Sequence, residues 1–220
     1  QTLAANAGVS FDLGNDGTAE QVGWVAPTDG LLVMDRNGDG LINNGSELFG
    51  AGTTQADGTG TTGDGYRAMA ELDSNADGKV NASDASFGEL QVWMDRDSDG
   101  VTDAGELSGL VQAGVLELNL DFSKGSETDN GNLLGLVGSY TGSDGAQHAM
   151  ADVWFANAAA VVAPEITELL AQPADNLLGT PDTTAATAAP ATDAAAAVTS
   201  AGIDRTLLAS EDWNKNTPLI

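Results

Sequence analysis

The sequence contains no cysteine and a single histidine, His148. It therefore lacks both disulfides and the paired thiolate or imidazole ligands of a zinc site. Basic residues are also scarce, since 7 Lys and Arg stand against 33 Asp and Glu, for a formal charge of −26. Nucleic acids and anionic membrane surfaces are bound through basic faces, so neither is an expected partner. Because no apolar run approaches about 20 residues, no membrane insertion is expected.

Hydrophobic residues make up 41% of the chain and are gathered in short runs such as LLVM, LQVWM and ADVWF. Over residues 1–156 these runs alternate with Gly/Asp/Asn turn clusters, which predicts one small α+β domain with several EF-hand-like calcium loops between short helices and strands. Residues 157–200 are rich in Ala, Thr and Pro and are predicted to form a linker containing one helix at 164–172. Residues 201–220 regain apolar residues, and the sequence leaves open whether they pack on the domain.

Hydrophobic periodicity within residues 1–156 predicts three helices and five strands. The helices are expected at 65–72, 82–89 and 104–112, and the strands at 30–34, 90–94, 115–121, 133–141 and 147–155. The last two strands would form a hairpin around the turn GSDG, residues 142–145. Trp24, Trp93 and Trp154 are expected in the core, and His148 at a half-exposed strand position.

An acidic loop recurs along the chain and carries most of the functional information. In DRDSDGVTDAGE, side-chain oxygens stand at positions 1, 3, 5, 9 and 12, with glycine at position 6. A calcium loop has this pattern and takes a further ligand from the main-chain carbonyl at position 7. The predicted ligands are Asp95, Asp97, Asp99, the Val101 carbonyl, Asp103 and Glu106. A plain solvated turn would not require both the glycine and the terminal glutamate.

Two other stretches repeat the pattern with small departures. DSNADGKVNASD ends in aspartate in place of glutamate, and its predicted ligands are Asp73, Asn75, Asp77, the Lys79 carbonyl, Asn81 and Asp84. DRNGDGLINNGSE predicts Asp35, Asn37, Asp39, the Leu41 carbonyl, Asn43 and Glu47. Glu47 comes one residue late, at position 13, so this prediction requires a bulge through Gly45. Ser46 at position 12 is the weaker alternative.

A fourth stretch, FDLGNDGTAE, offers Asp12, Asp16 and Glu20. Glycine stands where its second ligand should be, so a plain turn is the alternative to a calcium site. The chain is therefore predicted to bind about three calcium ions, or four if this loop also binds. Because clustered carboxylates repel one another without a cation, calcium binding is expected to drive folding.

Several of these motifs occur in one order that resembles a known family. The segments FDLGNDGTAEQVGWV, DGLLVMDRNGDGLINNGSELFG, AMAELDSNADGKVNASDASFGELQVWMDRDSDGVTDAGEL and ADVWF are similar to the self-processing module of iron-regulated RTX proteins (FrpC type). Related calcium-binding segments occur in RTX adhesins. The resemblance covers about residues 9–156. It implies calcium-driven folding and location outside the cell or on the bacterial surface.

The resemblance also implies cleavage of an Asp–Pro bond at the N-terminal edge of the module. The aspartate carboxylate attacks its own carbonyl, and water or a lysine amine opens the resulting anhydride. None of the six prolines in this chain follows an aspartate. A further acidic segment that opens the family pattern is also missing ahead of Gln1. A scissile bond would therefore either lie upstream of Gln1 or be absent from this protein.

The expected function is thus a calcium-binding, calcium-folded module of a secreted bacterial RTX-type protein. One alternative is calcium-dependent self-cleavage, with possible isopeptide ligation, in a longer protein. Another is an adhesin scaffold or dockerin-like module that contacts a host surface or a neighbouring module.

Overall fold

The computed structural model describes residues 1–158 and the backbone of one strand at 204–209. Apart from its first two residues, the predicted linker lies outside the described residues, as does its helix at 164–172. The remainder of the tail also lies outside them. Within the described part of the chain, no helix is long and apolar enough to cross a membrane.

The described chain consists mostly of antiparallel strands. The strands are β1 (Thr2–Leu3), β2 (Val9–Phe11), β3 (Glu20–Val22), β4 (Trp24–Val25), β5 (Gly30–Met34), β6 (Lys79–Asn81), β7 (Leu90–Trp93), β8 (Leu107–Gly109), β9 (Val115–Asn119), β10 (Ser123–Asp129), β11 (Asn132–Gly142), β12 (Gln147–Phe155) and β13 (Asp204–Ala209). The helix α1 (Gly65–Ala70) and a 3-10 turn at Phe87–Glu89 are the helical elements of the described residues.

Most of these strands belong to one sheet, in the order β6-β9-β11-β12-β13-β5-β7-β8, with β10 beside β11. Two small sheets, β1 with β4 and β2 with β3, lie outside it. In the large sheet, β13 pairs with β12 on one side and with β5 on the other. The acidic stretch 95–106 connects β7 to β8, the stretch that starts at Asp35 follows β5, and the stretch 73–84 follows α1 and contains β6. The stretch that starts at Asp12 connects β2 to β3 of a small sheet.

The predicted α+β class is wrong, because the helices expected at 82–89 and 104–112 do not form. Residues 82–86 form turns and only Phe87–Glu89 is helical. In the second segment Gly105 has φ of +94°, which interrupts a helix, and Leu107–Gly109 pairs with β7 as strand β8. The acidic residues of both segments accept main-chain hydrogen bonds from the preceding loop. In these segments Asp84 and Glu106 close the acidic loops, so their helical spacing does not indicate a helix.

Other local predictions are confirmed. The helix α1 lies within 65–72, and its N-cap Asp64 accepts a hydrogen bond from the Arg67 main-chain N–H at 2.8 Å. Strands β5, β7, β9, β11 and β12 occupy the predicted segments, and the turn GSDG closes the β11–β12 hairpin. His148 lies in β12 as expected, but its side chain is only 11% exposed and is therefore more buried than predicted. Strands β1 to β4, β6 and β10 were not predicted from the sequence. The turn from β10 into β11 is Asn130–Gly131, with φ of +50° and +89°.

Two hydrophobic clusters form the core, and β5 contributes to both. Leu32 and Met34 pack in a cluster with Phe49, Tyr66, Tyr140 and Met150, and Trp154 lies against it. Leu31 and Val33 pack in a second cluster that contains Phe11, Trp24, Trp93 and Phe155. The Trp24 and Trp93 ring centroids are 5.6 Å apart in an edge-to-face arrangement. Both indoles reach the acidic loops from this cluster.

Candidate metal centres in four acidic loops

Four acidic loops share one backbone turn over their first six residues, and we name them loop A (12–20), loop B (35–47), loop C (73–84) and loop D (95–106). In each loop the first aspartate accepts a hydrogen bond from the N–H of the glycine at position 6, at 2.8–2.9 Å. Positions 4 and 6 both have positive φ. These residues are Asn15 and Gly17, Gly38 and Gly40, Ala76 and Gly78, and Ser98 and Gly100. Residues other than glycine seldom adopt this conformation, so its recurrence marks one loop type.

The acid predicted to close loops B, C and D makes the same two contacts in each loop. Glu106 accepts the N–H of Arg96, position 2, at 2.7 Å and that of Asp103, position 9, at 3.1 Å. Asp84 accepts the corresponding N–H groups of loop C at 2.8 and 2.9 Å. Glu47 accepts those of loop B at 3.3 and 2.8 Å. All three acids are buried, so each holds the two ends of its loop together.

Glu47 reaches this place although it comes one residue late. The extra residue is accommodated at Gly45, whose N–H donates to the Asp12 carbonyl at 2.7 Å. A Cβ on Gly45 would overlap the Leu13 carbonyl, so this contact with loop A requires glycine. Ser46, the weaker candidate, bonds to the Asn44 side chain at 2.6 Å. Glu47 therefore makes the closing contacts in spite of its late position.

Loop A has the shared backbone turn without a closing acid. Position 12 of this loop is Gly23, and the Glu20 carboxylate accepts a hydrogen bond from the Asn157 amide at 3.2 Å. Asp16, at position 5, accepts the N–H of Thr18, at position 7, at 2.8 Å. In loops B, C and D the position-5 aspartate likewise accepts the N–H of position 7. Loop A is thus built like the others over its first half only.

Loop D contains three aspartates whose side chains form a candidate metal-binding group. Each of Asp95, Asp97 and Asp99 offers an oxygen, and these oxygens lie within 4.8 Å of one another, so the three side chains could hold a metal ion. Asp95 is fully buried, and burial raises the pKa of its carboxyl above the ordinary value. Hydrogen bonds from Gly100 and from the Trp24 indole oppose that rise. A cation among these oxygens would offset the cost of burying the charge.

The predicted ligands of loops B and C also meet within their own loops. Asn37 donates through its side-chain amide to Asn43 at 2.9 Å, and Asn75 donates to Asp77 at 3.0 Å. Every side chain predicted to bind the metal ion in these loops has at least one oxygen atom that can act as a ligand. Hard cations such as calcium prefer oxygen ligands, so the donor set fits calcium better than zinc.

Contacts outside the ligand pattern join the loops to one another and to the core. Ile42 and Thr102, both at position 8, are connected because the Thr102 hydroxyl oxygen accepts the Ile42 N–H at 2.9 Å. The Trp24 indole donates to Asp95 at 2.8 Å and the Trp93 indole to Glu106 at 3.1 Å. Sequence reasoning placed both tryptophans in the core and missed these hydrogen bonds. The position of Trp93, two residues before loop D, could have indicated its hydrogen bond to this loop. Trp24 is distant in sequence, so no sequence signal indicated its contact.

Comparison with known proteins gives the family of this chain. Residues 1–156 match the family model described as the SPM domain, so the chain belongs to the SPM domain family. The chain is also similar to the iron-regulated protein FrpA of Neisseria meningitidis serogroup C, with 46% identity over 159 residues. The match covers 71% of this chain and 14% of that protein. The expected relationship with iron-regulated proteins of the FrpC type is thereby confirmed.

Proposed function

We propose that this chain is a calcium-binding module that calcium folds, within a secreted bacterial RTX-type protein. The observation that carries the proposal is the identical closure of loops B, C and D. A buried acid in each loop joins the N–H groups of positions 2 and 9. The last predicted ligand of each loop thus contacts the main chain at the same two positions even where the sequence spacing differs, which supports one common loop type.

The carboxylates keep the capacity to bind a cation while they accept these hydrogen bonds. An ionised carboxylate has two oxygens with about four lone-pair sites, and the N–H donors occupy only part of them. In loop D the ligands would be Asp95, Asp97 and Asp99 with Glu106 closing the set. Loops B and C would use their corresponding side chains, and the half-built loop A would bind more weakly.

Calcium supplies positive charge that this chain lacks. The formal charge is −26, and the carboxylates of each loop lie only a few positions apart in the sequence. The unfolded chain does not gather these ligands, so the free energy of binding becomes free energy of folding. Dissociation constants of about 10⁻⁴–10⁻³ M, typical of extracellular calcium modules, would keep the chain unfolded inside a cell and folded outside it.

Asp97→Asn tests the assignment of loop D. Asp97 is exposed, and the replacement keeps the shape of the side chain while removing one charge. We expect calorimetric calcium titration to show loop D binding weakened by about tenfold or more, with the other sites retained. The matched control is Glu127→Gln, which removes one charge from an exposed position of β10. Equal calcium binding by the two variants would contradict the assignment.

Self-cleavage is a second candidate function for a longer chain. The observation that favours it is the fixed position of the first residues: Thr2–Leu3 pairs with β4, and the Thr2 N–H donates to Asp129 at 2.6 Å. A peptide bond just upstream would therefore emerge at a defined place. A chain extended upstream by an Asp–Pro sequence is expected to split when calcium is added. An extended chain that folds with calcium and stays intact would rule this function out.

A further inference from the structure

A cleft of about 420 Å³ lies beside the start of α1, where β10, β11 and β12 run next to one another. Its lining residues come from α1 and its N-cap, from these three strands and from Phe122, which precedes β10. None of them belongs to loops A to D, so the cleft is separate from the candidate metal centres. Its volume falls in the range of small-molecule sites in proteins.

Two β-bulges shape this cleft. The strand register shifts within β10 after Lys124 and within β11 after Leu134, and a glycine follows each of these residues. A Cβ on Gly125 would lie 2.2 Å from the Leu134 carbonyl oxygen, and one on Gly135 would lie 1.1 Å from the Trp154 ring. Both positions therefore require glycine. Bulges with glycine occur often beside functional sites, because they change the direction of side chains and permit close approach.

Two aromatic side chains give the cleft an apolar side. Phe122 is 48% exposed, although its ring packs on the buried Tyr66 with the ring centroids 4.7 Å apart. Trp154 is half-buried, and its ring lies against the main chain of Gly135. Aromatic surface in contact with water gains free energy when an apolar group covers it. The cleft therefore favours a ligand with an aromatic or apolar body.

Positive charge is concentrated at this cleft in a chain that has little of it. Residues 1–158 contain five Lys and Arg, and two of these, Arg67 and Lys124, line the cleft together with one acid, Asp64. Arg67 contacts Asp64 through Nε at 3.3 Å. Lys124 forms no ion pair with another residue of the described chain. Two cations and one acid leave the lining with a net positive charge, whereas the whole chain is strongly negative.

We propose that this cleft binds a small carboxylate with an aromatic or apolar body. The body lies against Phe122 and Trp154, and the carboxylate accepts hydrogen bonds from Arg67 and Lys124. Hydrogen bonds between ionised partners are stronger than neutral ones, and a guanidinium group can donate two of them to one carboxylate. The charge therefore selects the carboxylate, and the rings select its body.

Titration with phenylacetate and phenylacetamide tests the proposal on the full chain. The two probes have the same size and shape, but the amide has no charge. Amide N–H spectra are recorded by NMR in calcium and about 0.15 M salt, which screens the repulsion of an anion by the acidic chain. We expect phenylacetate to bind with a dissociation constant of about 1–10 mM, as is usual for a ligand of this size. Phenylacetamide and acetate should each bind at least about fivefold more weakly.

Two variants test the two halves of the site. Lys124→Gln removes an exposed charge, so the chain should fold normally, and phenylacetate binding should weaken about fivefold while phenylacetamide binding stays unchanged. The matched control is Lys79→Gln, which removes a charge outside the cleft. Phe122→Ala should weaken the binding of both probes by about threefold or more.

Equal binding of phenylacetate and phenylacetamide would overturn the proposal, as would no binding of phenylacetate. It would also be overturned if Lys124→Gln and Lys79→Gln bound phenylacetate alike, or if the shifted signals lay away from Gly125, Gly135 and the Trp154 indole. The same spectra recorded in chelator and in calcium show separately whether calcium folds the chain. The expected phenylacetate binding is the same whether or not folding requires calcium, because the cleft contains no residue of the acidic loops.

Discussion

Replacing Glu106 with alanine is expected to remove the calcium response of loop D and to destabilise the folded chain strongly. Its buried carboxylate accepts N–H groups from Arg96, Asp103 and the Trp93 indole. Truncation leaves these donors without that acceptor and opens the loop. We expect the free energy of unfolding in calcium to fall by about 3–5 kcal/mol. Denaturant unfolding followed by tryptophan fluorescence measures this loss.

Two further variants separate the effects of charge and shape at this position. Glu106→Gln keeps one oxygen acceptor and the length of the side chain, so it should lose calcium binding in loop D with a smaller loss of stability. Glu127→Ala removes an exposed acid from β10 and should change stability by less than about 0.5 kcal/mol. If Glu106→Ala were as stable as Glu127→Ala, the closure of loop D would have no role in the fold.

Gly100→Ala is expected to destabilise the chain more than the same change at Gly40. Both glycines occupy position 6 and have positive φ, +74° at Gly100 and +84° at Gly40. An alanine at either position therefore costs about 1–2 kcal/mol for the left-handed conformation. A Cβ at Gly100 would in addition lie 3.0 Å from the Val9 side chain, whereas one at Gly40 would meet nothing within 4 Å.

The comparison isolates the packing of loop D against β2. We expect Gly100→Ala to lower the free energy of unfolding by about 2–4 kcal/mol and Gly40→Ala by about 1–2 kcal/mol. Denaturant midpoints at constant m-value measure the difference. Equal losses would show that the contact between Gly100 and Val9 carries no additional cost.

The acidic loops were predictable from the sequence because the residues that close each loop are near neighbours. Even the late Glu47 in loop B was anticipated, since glycine at 45 permits a bulge. Gly45 also makes a contact that spacing does not reveal, namely the hydrogen bond from its N–H to the Asp12 carbonyl.

The fold class was not predictable by the same reasoning. Segments 82–89 and 104–112 contain helix-compatible residues at helical spacing, yet Asp84 and Glu106 bind the main chain of their loops. Local propensity was overridden by loop closure and strand pairing. The hydrogen bond from the Thr2 N–H to Asp129 was likewise beyond local pattern, because the two residues are 127 positions apart in the sequence.

The contacts between the loops and the second core cluster indicate how calcium would be coupled to folding. The indoles of Trp24 and Trp93 pack against each other and donate to opposite ends of loop D. Trp24 also belongs to β4, which pairs with β1. Closure of loop D would therefore order the same aromatic cluster that supports the start of the chain.

The most direct test of calcium-driven folding compares near-ultraviolet circular dichroism and amide chemical-shift dispersion in chelator, magnesium and calcium. We predict little tertiary signal in chelator or magnesium and a cooperative gain in calcium, complete at about three ions per chain. A chain with the same tertiary signal and dispersion in chelator as in calcium would contradict the central claim. The four loops would then be acidic turns that the sheet holds in place without a metal ion.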